Sequence, residues 1–319
     1  MDKRQLGRSG QQWSVLTMGC WQAGGAQWEN VQDEASIAAM RAAFEAGITA
    51  FDTAEAYNDG YSERILAQAL ASWRDEIFIA TKVAAHNLAH GKVLEACDRS
   101  LQNLSTDRID LYQIHWPAGQ WGSPIVPIEE TMGALNSLRE QGKIRAIGVS
   151  NFNGAQIEAA LQCGRIDSLQ PPYSLFWDAF ERNGTFRACV EQGVSVIPYS
   201  PLAQGLLTGK FNRDNRPGDN RAGNALFQDP VFDKAVAAVE QLKPLAQKYG
   251  VSTGQLSLAW LLKQPAVASV IVGARTPEQV RDNAKAADVR LDDEDAAHIS
   301  RIGRSVTEHL PDAKTNMWA

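Results

Sequence analysis

The amino-acid sequence predicts an α/β protein in which eight strand–helix units close into a (β/α)8 TIM barrel, formed as a single domain over residues 1–319. Short apolar runs recur eight times, and helix-period segments lie between them. The carboxyl ends of the first seven runs follow one another at intervals of 21 to 34 residues, which is the length of a βα unit. Strands alternating with helices form a parallel sheet. The count of eight, with no G-x-G-x-x-G after the first run, favours the barrel over an open doubly wound sheet.

The predicted strands are, in order, SVLTMGC, ITAFD, IFIATK, IDLYQIH, IRAIGVS, IDSLQ, VSVIPYS and SVIVGA. Their carboxyl ends fall near Cys20, Asp52, Lys82, His115, Val149, Gln170, Tyr199 and Val272. Apolar residues at helical spacing predict helices in DEASIAAMRAAFEAG, SERILAQALASW, GKVLEACDRSLQNL, PIEETMGALNSLREQG and FRACVEQG. Gly47 supplies a stop for the first of these helices.

One interval is much longer than the rest, between the seventh and eighth strands. It contains LAQGLLTGKFNRDNRPGDNRAGNALFQDP and then two helix-like segments, PVFDKAVAAVEQLKPLAQKYG and TGQLSLAWLLKQ. A loop of this length is usually a functional lid or a linker. Leu206, Leu207 and Phe211 within it, and its position after a strand end, favour a lid.

Composition excludes several classes of partner. Apolar residues make up 44% of the chain and the net charge is −6, with no Lys/Arg-rich block, so a nucleic-acid partner is not expected. The longest apolar run, AVASVIVGA, has the length of a strand, and the N-terminus has no signal-like apolar region, so no membrane partner is expected. Four scattered cysteines without a C-x-x-C pair indicate a reducing compartment, the cytoplasm.

Polar side chains gather where the predicted strands end. The carboxyl ends of the strands in such a barrel share one face, which holds the active site. The residues at or just beyond these ends are Asp52, Tyr57, Lys82, His115, Ser150, Asn151, Gln170, Tyr199 and Ser200. Taken singly, Lys82 is explained as a solvated residue and His115 as a core histidine. Their placement at successive strand ends indicates a shared site.

Four of these side chains can together move a proton. A tyrosine hydroxyl has a pKa near 10, and a neighbouring ammonium favours the phenolate and lowers that value. Lys82 is the candidate ammonium, and Asp52 can hold it by an ion pair. Tyr57 could then give a proton to a developing alkoxide or take one from an alcohol. His115 could donate a hydrogen bond to the same oxygen.

Six ordered motifs closely resemble the aldo-keto reductases: FDTAEAY, ATK, YQIHWP, GVSNF, IPYSPLAQGLLTGK and IVGARTPEQVRDNAKA. The resemblance runs over nearly the whole chain. It implies the barrel fold, reduction of aldehydes and ketones to alcohols, and extended binding of NADPH without a Rossmann motif.

The resemblance also implies roles for individual residues. Tyr57 is the expected general acid, Lys82 and Asp52 tune it, and His115 orients the carbonyl. The expected contacts of the nicotinamide are Ser150, Asn151 and Gln170 at its carboxamide and Tyr199 against its face. The segment expected to wrap the pyrophosphate contains Ser200, Leu202, Gln204, Gly205 and Lys210.

The adenine end of the cofactor site is predicted after the last strand. Thr276, Pro277 and Gln279 form an N-cap, an N1 proline and a capping-box partner, so a helix begins there. A helix N-terminus and Arg275 together favour a 2′-phosphate, and therefore NADP(H) over NAD(H). Gln279 stands where many members of the family carry a second Arg, and Gly273 where some carry Lys, so NAD(H) remains possible. Asp282 and Asn283 occupy positions that usually meet the adenine.

An aromatic substrate pocket is predicted from tryptophans in the loops after the strands, namely Trp21, Trp28, Trp116 and Trp177, with Trp121 and Phe176 nearby. Such a pocket suits small carbonyl compounds with an apolar or planar body. It does not identify one.

Two other functions are alternatives to the reductase. A nucleotide-sensing partner protein, like the channel β subunits of the family, would keep the barrel and cofactor. A metal-dependent hydrolase using His115 and Asp52 would need more ligands than the chain's five histidines in scattered positions supply, so no metal is expected. The chain is expected to act as a monomer.

Overall fold

The computed structural model of the chain describes residues 1–25, 31–310 and 317. An antiparallel hairpin of β1 (Lys3–Gln5) and β2 (Gln12–Ser14) precedes the barrel. The eight barrel strands are β3 (Leu16–Gly19), β4 (Ala50–Asp52), β5 (Phe78–Val83), β6 (Ile109–Ile114), β7 (Ile144–Ser150), β8 (Ser168–Gln170), β9 (Ser195–Val196) and β10 (Val270–Gly273).

All eight barrel strands are parallel and follow one another around the sheet in the order β10-β3-β4-β5-β6-β7-β8-β9. Backbone hydrogen bonds also connect the two ends of this order. The Ile271 N–H donates to Pro198 O at 2.9 Å, and the Val196 N–H donates to Ala266 O at 2.9 Å. The eight predicted strands and the predicted (β/α)8 fold are thus confirmed.

Helices connect the strands and cover the sheet: α1 (Asp33–Glu45), α2 (Tyr61–Leu70), α3 (His90–Asn103), α4 (Ile128–Glu140), α5 (Gly154–Cys163), α6 (Ala179–Arg182), α7 (Thr185–Glu191), α8 (Val231–Lys248), α9 (Thr253–Leu262), α10 (Pro277–Ala284) and α11 (Asp293–Thr307). Their apolar faces pack on the strands, as Ala39, Met40 and Ala43 of α1 do. The sequence patterns did not single out α5. Asn153 begins it with a capping box that includes Gln156.

The N-terminal hairpin lies against the amino ends of the strands. Leu6 and Trp13 are fully buried and belong to an apolar cluster inside the barrel. The barrel strands and the segment after β9 contribute the other members of the cluster: Ala50, Ala80, Leu111, Ala146 and Ile197. This end of the barrel is therefore filled with apolar side chains, which leaves the carboxyl ends of the strands for the site.

The long segment between β9 and α8 packs against the barrel through its apolar residues. Leu206 and Leu207 are buried, and the rings of Phe211 and Phe227 meet edge to face at 5.4 Å. Consecutive 3-10 turns carry the chain across this face. The segment expected to be a lid forms one wall of the cavity described below.

Membrane-spanning helices are not found in the part of the chain that the structure describes. Nor do the described residues contain a group of three or more His, Cys, Asp or Glu side chains that could hold a metal ion.

Candidate active site

A cavity of about 1570 Å³ opens at the carboxyl ends of the barrel strands. It is lined by Asp52, Tyr57 and His115 of the predicted catalytic group. The predicted cofactor residues also line it, namely Ser150, Asn151, Gln170, Tyr199, Ser200, Leu202, Gln204, Gly205, Lys210, Gly273, Arg275, Gln279 and Asn283. Lys82 is fully buried behind this wall. The structure therefore brings both predicted groups to one cavity.

Lys82 connects Asp52 to Tyr57. Its Nζ donates to Asp52 Oδ1 at 2.7 Å, to the backbone oxygen of Thr53 at 2.7 Å and to the Tyr57 hydroxyl at 3.1 Å. The ammonium also lies 4.7 Å from the centre of the Tyr57 ring. Lys82 is 0% exposed and Asp52 4%, so the ion pair is shielded from solvent screening. All three donor protons of the lysine are used.

The electrostatics of Tyr57 differ from the expectation drawn from the sequence. Burial raises the pKa of Tyr57 above its usual value, while the charge of Lys82 opposes the rise. The expected net lowering of the pKa is therefore wrong, because desolvation of the phenolate outweighs the ammonium. Burial would lower the pKa of Lys82, but Asp52 and Tyr57 together raise it. At neutral pH the site holds a protonated tyrosine beside a protonated lysine.

His115 completes the polar end of the cavity. Its ring meets the Tyr57 ring edge to face, with centroids 5.6 Å apart. Burial, together with the charge of Lys82, lowers the pKa of His115 well below its usual value. The imidazole is therefore neutral and carries one N–H, which suits it to donate a hydrogen bond to an uncharged oxygen.

The far side of Asp52 is held by two glutamines. Gln170 Nε2 donates to Asp52 Oδ2 at 2.7 Å, and Gln113 Nε2 lies 3.4 Å from the same oxygen. Gln113 is fully buried, and its Oε1 in turn accepts from Gln170 at 3.3 Å. Sequence reasoning missed Gln113 because it lies two residues before His115, the predicted end of that strand. The signal available was an uncharged polar residue near the end of a strand whose other polar residue is Asp110.

A second polar cluster lies beside the first, between β7 and β9. Asn151 Nδ2 donates to His115 O and to Ser150 Oγ, both at 3.0 Å, and Asn151 Oδ1 accepts from the Tyr199 hydroxyl at 2.9 Å. Ser150 Oγ donates to Gln170 O at 2.8 Å. Asn151 has a φ of 63°, in the left-handed region that Asn tolerates well. These contacts fix amide and hydroxyl groups at the cavity wall.

The chain after β9 adopts an irregular path along the cavity. Ser200, Ala203, Gln204 and Gly205 all have φ between 48° and 98°. Such backbone is uncommon outside glycine and concentrates at functional sites. Both polar side-chain atoms of Gln204 are buried without a hydrogen-bond partner among the described residues. A Cβ on Gly205 would come within 2.8 Å of Lys210 Cε. Any other residue at this position would therefore displace the Lys210 side chain.

Five cationic side chains line the cavity, and three of them, Lys210, Arg221 and Arg275, lie close enough to interact; the other two are Arg281 and Lys285. Burial lowers the pKa of Lys210, and the charges of Arg221 and Arg275 lower it further. Arg221 pairs with Asp219 through Nη2 at 2.6 Å and lies 3.4 Å from Gln204 O. Sequence reasoning missed Arg221 because it stands in a loop with several other charged residues. Clustered cations of this kind form a site for a phosphate-bearing ligand.

The last strand leads into α10 much as predicted, with one difference. Thr276 caps the helix by accepting from Gln279 N at 3.3 Å, and Pro277 follows at the first helical position. The Gln279 side chain, however, accepts from the backbone N–H of Arg275 at 2.8 Å and not from that of Thr276. The capping box is thus displaced by one residue, and Gln279 fixes the backbone of Arg275.

The predicted aromatic wall is only partly present. Trp21 and Trp116 line the cavity together with Trp121, which meets Trp116 edge to face at 5.4 Å. Trp177 does not line the cavity: it is 2% exposed and packs in the core, as Phe176 does. Trp28 lies outside the described residues.

Comparisons with known proteins agree with this geometry. The sequence profile of the Aldo/keto reductase family matches residues 15–304. The chain belongs to the aldo/keto reductase family. Its reaction class is therefore the NAD(P)H-dependent reduction of carbonyl compounds. This family membership confirms the oxidoreductase activity predicted from the sequence and agrees with the barrel fold described above.

Individual relatives cover nearly all of this aldo-keto reductase. An NADH-specific methylglyoxal reductase of Escherichia coli is 37% identical, over 96% of this chain and 99% of that one. A probable voltage-gated potassium channel subunit beta of Oryza sativa is 32% identical, over 91% and 92%. The structure of a glycerol dehydrogenase from Gluconobacter oxydans superimposes with a TM-score of 0.88 at 31% identity, covering 98% of both chains. An aldo/keto reductase from Klebsiella pneumoniae, in complex with NADP and acetate, gives 0.77 at 28%, covering 95% of both.

Proposed function

We propose that Tyr57 is the proton donor for carbonyl reduction in this enzyme and that Lys82 and Asp52 set its acidity. The observation that carries the proposal is the buried chain of contacts from Asp52 through Lys82 to the Tyr57 hydroxyl, which faces the cavity. As an alkoxide develops on the substrate, Tyr57 gives up its proton, and the phenolate left behind is stabilised by Lys82. The neutral His115 donates a hydrogen bond to the same substrate oxygen and holds the carbonyl in place.

The pKa of Tyr57 sets a direction for the dependence on pH. Because burial raises this pKa, the phenol is protonated at neutral pH, which is the state needed for reduction. Oxidation of an alcohol needs the phenolate as a base. We therefore expect the reverse reaction to increase with pH well into the alkaline range.

We propose NADP(H) as the preferred cofactor, with NAD(H) also accepted. The amide of Gln204 is buried without a hydrogen-bond partner among the described residues, and Gly205 has no side chain beside Lys210. Together with the cations Lys210, Arg221 and Arg275, these features fit a dinucleotide with several phosphates. Ser150, Asn151 and Gln170 would hold the carboxamide, Tyr199 would pack on the ring, and Asn283 would lie at the adenine. Bound there, the reduced nicotinamide supplies the hydride. The NADP of the Klebsiella structure and the NADH specificity of the Escherichia coli relative support both halves of this proposal.

The substrate proposed is an aldehyde or ketone with an uncharged, planar or apolar body. The wall around Tyr57 and His115 contains Trp21, Trp116 and Trp121. Aromatic rings bind such groups through contact area and stacking. A panel of aromatic, aliphatic and carboxylated aldehydes, compared by kcat/KM, would test this preference.

We also propose that residues 1–319 act as a single domain and a monomer in the cytoplasm. All four cysteines are unpaired, as a reducing compartment allows. Among the described residues, the exposed large apolar side chains are few: Met1, Trp121, Ile125 and Val190. Size-exclusion chromatography with light scattering would check the oligomeric state.

Replacing the proposed acid tests the reaction directly. Purified enzyme should oxidise NADPH only after an aldehyde is added, and Tyr57→Phe should lower kcat by a factor of 10² or more while keeping NADPH affinity, because the ring remains and only the proton is lost. Absorbance at the NADPH band measures the rate, and quenching of its fluorescence measures binding. Tyr61→Phe, in the next helix, is the matched control with near-normal kcat. Full activity of Tyr57→Phe would reject the assignment.

The channel-subunit relative raises a second candidate function, in which cofactor binding mainly serves a partner protein. The complete set of Asp52, Tyr57, Lys82 and His115 favours the enzyme, because a sensor has no need of a proton donor. Turnover rates separate the two. An enzyme should sustain many cycles on at least one aldehyde, whereas a sensor would retain its cofactor and turn over very slowly.

A further inference from the structure

Glu55 connects the loop that carries Tyr57 to the segment that follows β5, the strand of Lys82. It lies two residues before Tyr57, and its side chain is 11% exposed. Its Oε1 accepts a hydrogen bond from the backbone N–H of Ala84 at 2.7 Å and another from Asn87 Nδ2 at 2.9 Å. Both donors follow β5, just beyond Lys82. The carboxylate therefore ties the loop of the tyrosine to the segment that follows the lysine.

The backbone ladder between β4 and β5 does not hold Tyr57 in place by itself. Its last residue pair is Asp52 with Ala80, so the ladder ends before the tyrosine. Further along, the Glu55 N–H lies 3.4 Å from Lys82 O, which is long for a hydrogen bond. Hydrogen bonds to a charged carboxylate are shorter and about twice as strong as neutral ones. The Glu55 side chain is thus the firmer of these two connections.

The loop from Glu55 to Tyr57 is compact enough to transmit this restraint. Gly60 N donates to Glu55 O at 2.7 Å, and Tyr57 N donates to Ala54 O at 3.0 Å. The three residues 58–60 all have positive φ, which folds the loop tightly before α2. A shift of Glu55 would therefore carry Tyr57 with it.

We infer that Glu55 is a positioning residue that sets the distance between the Tyr57 hydroxyl and Lys82 Nζ. The inference rests on the proposed function, since it takes Tyr57 as the proton donor. Glu55 does not line the cavity, and the hydrogen bonds of its carboxylate among the described residues go to Ala84, Asn87 and Arg99, not to the side chain of Tyr57 or Lys82. It acts through the loops: with its two bonds in place, the hydroxyl stays 3.1 Å from the ammonium. Misplacing a reacting group by about 1 Å can cost a hundredfold in rate.

Loss of Glu55 should also change how Tyr57 titrates. The charged and titratable groups that face Tyr57 are Asp52, Lys82, His115 and Cys20. Of these, Lys82 lowers the pKa of Tyr57, whereas Asp52 raises it. If the hydroxyl moves away from the ammonium, the alkaline rise of alcohol oxidation should shift to higher pH. A residue that supports only folding would leave this profile unchanged.

The experiment compares Glu55→Ala with Glu55→Gln in both reaction directions. Glu55→Ala should lower kcat for aldehyde reduction about 10- to 100-fold, leave the NADPH dissociation constant within twofold, and move the oxidation profile to higher pH. Glu55→Gln keeps an oxygen that accepts from both Ala84 and Asn87, so it should recover most of the rate and the original profile. An unshifted profile in Glu55→Ala, or a kcat unchanged per folded molecule, would overturn the inference.

Two further variants keep the inference testable if Glu55→Ala does not fold. Asn87→Ala removes one of the two donors and should give a smaller shift in the same direction; no shift in this variant, if Glu55→Ala does not fold, counts against the inference. Arg99→Ala removes only a half-exposed ion pair of 3.3 Å with Oε2, and it should leave kcat within twofold.

The outcome for Tyr57→Phe keeps this inference separate from the proposed function. If Tyr57→Phe is inactive and Glu55→Ala is normal, only the positioning role falls. If Tyr57→Phe is active, the proposed proton donor falls whatever Glu55 does.

Discussion

The ion pair of Asp52 and Lys82 is the most consequential pair of charges in the site, because both side chains are almost fully removed from water. Burying two charges is costly, and their attraction offsets the cost only when further hydrogen bonds satisfy them. Here Thr53 O and Gln170 Nε2 supply such bonds. The cost of burying the two charges is therefore offset only while both are present, and removing either one leaves an unpaired buried charge that destabilises the fold.

Removing Lys82 alone should destabilise the fold as well as the reaction. Lys82→Met leaves Asp52 buried without its cation, and we expect the free energy of unfolding to fall by about 3–5 kcal/mol. The double variant Lys82→Met with Asp52→Asn should recover most of that loss while remaining inactive. Urea unfolding of the three proteins measures this. Equal destabilisation of single and double variants would contradict the account.

The pH at which this pair weakens follows from the direction of the pKa shift. The pKa of Lys82 is raised in the folded chain, so its stabilisation is complete below the ordinary lysine value of about 10.4 and declines as pH rises above it. The pair thus contributes fully across the neutral range in which the reductase would work.

Individual residues of the proposed catalytic site were predictable where a polar side chain lies at the end of a predicted strand, as Asp52, Lys82 and His115 do. Gln113 was not, because a residue before the strand end can face either the barrel or the helices, and only its contacts with Asp52 and Gln170 in the folded chain show which. The net direction of the Tyr57 pKa shift was also beyond the sequence. The direction of this shift depends on how far the folded loop removes Tyr57 from water, and the spacing of residues in the sequence does not contain that information.

At the scale of elements, the start of α10 forms the proposed phosphate end of the cofactor site. The helix N-terminus is capped by Thr276, and the Gln279 side chain fixes the backbone of Arg275 just before it. Unpaired N–H groups at a helix N-terminus attract anions, and a guanidinium adds a planar pair of donors. In the proposed function both features would bind a 2′-phosphate, which NADPH carries and NADH lacks.

Arg275→Ala should therefore separate the two cofactors. We expect the NADPH dissociation constant to rise about tenfold or more, as for loss of a charged hydrogen bond, and that of NADH to change far less. Arg301→Ala, at an exposed arginine of α11 that does not line the cavity, is a control that should leave the affinity for both cofactors unchanged. Fluorescence titration with each cofactor gives the ratio. Equal losses for both would remove Arg275 from a phosphate role.

The sequence predicted some secondary-structure elements and missed others. The eight strands and most helices followed from apolar runs and helical spacing. The helix α5 was overlooked in the short interval between β7 and β8 although Asn153 and Gln156 carry a capping signal. Trp177 was assigned to the pocket from its position after a strand. Chain position does not fix the direction of a side chain, and the ring turns into the core instead.

At the scale of the whole molecule, the residues that stabilise the barrel and the residues of the proposed active site lie at opposite ends of the strands. The carboxyl ends of the strands hold the cavity, while the amino ends are closed by the β1–β2 hairpin and an apolar cluster that includes Leu6 and Trp13. Gly7, beside Leu6, has a φ of 50°, and a Cβ there would overlap Asp167 O at 2.2 Å. The hairpin therefore packs directly on the barrel, far from the reacting groups.

Leu6→Ala should accordingly lower stability without altering catalysis. Leu6 is 0% exposed, and truncating a fully buried leucine to alanine costs about 2–5 kcal/mol through lost burial and the cavity left behind. We expect a lower midpoint in urea, with kcat, KM and NADPH affinity at 25 °C close to those of the unchanged enzyme. Tyr57→Phe should show the opposite pattern, with stability kept and turnover lost. A Leu6→Ala protein with normal stability would show that the hairpin contributes little to the fold. A kcat reduced while the variant is fully folded would show that the two ends of the barrel are coupled, because packing at the hairpin would then reach the tyrosine loop.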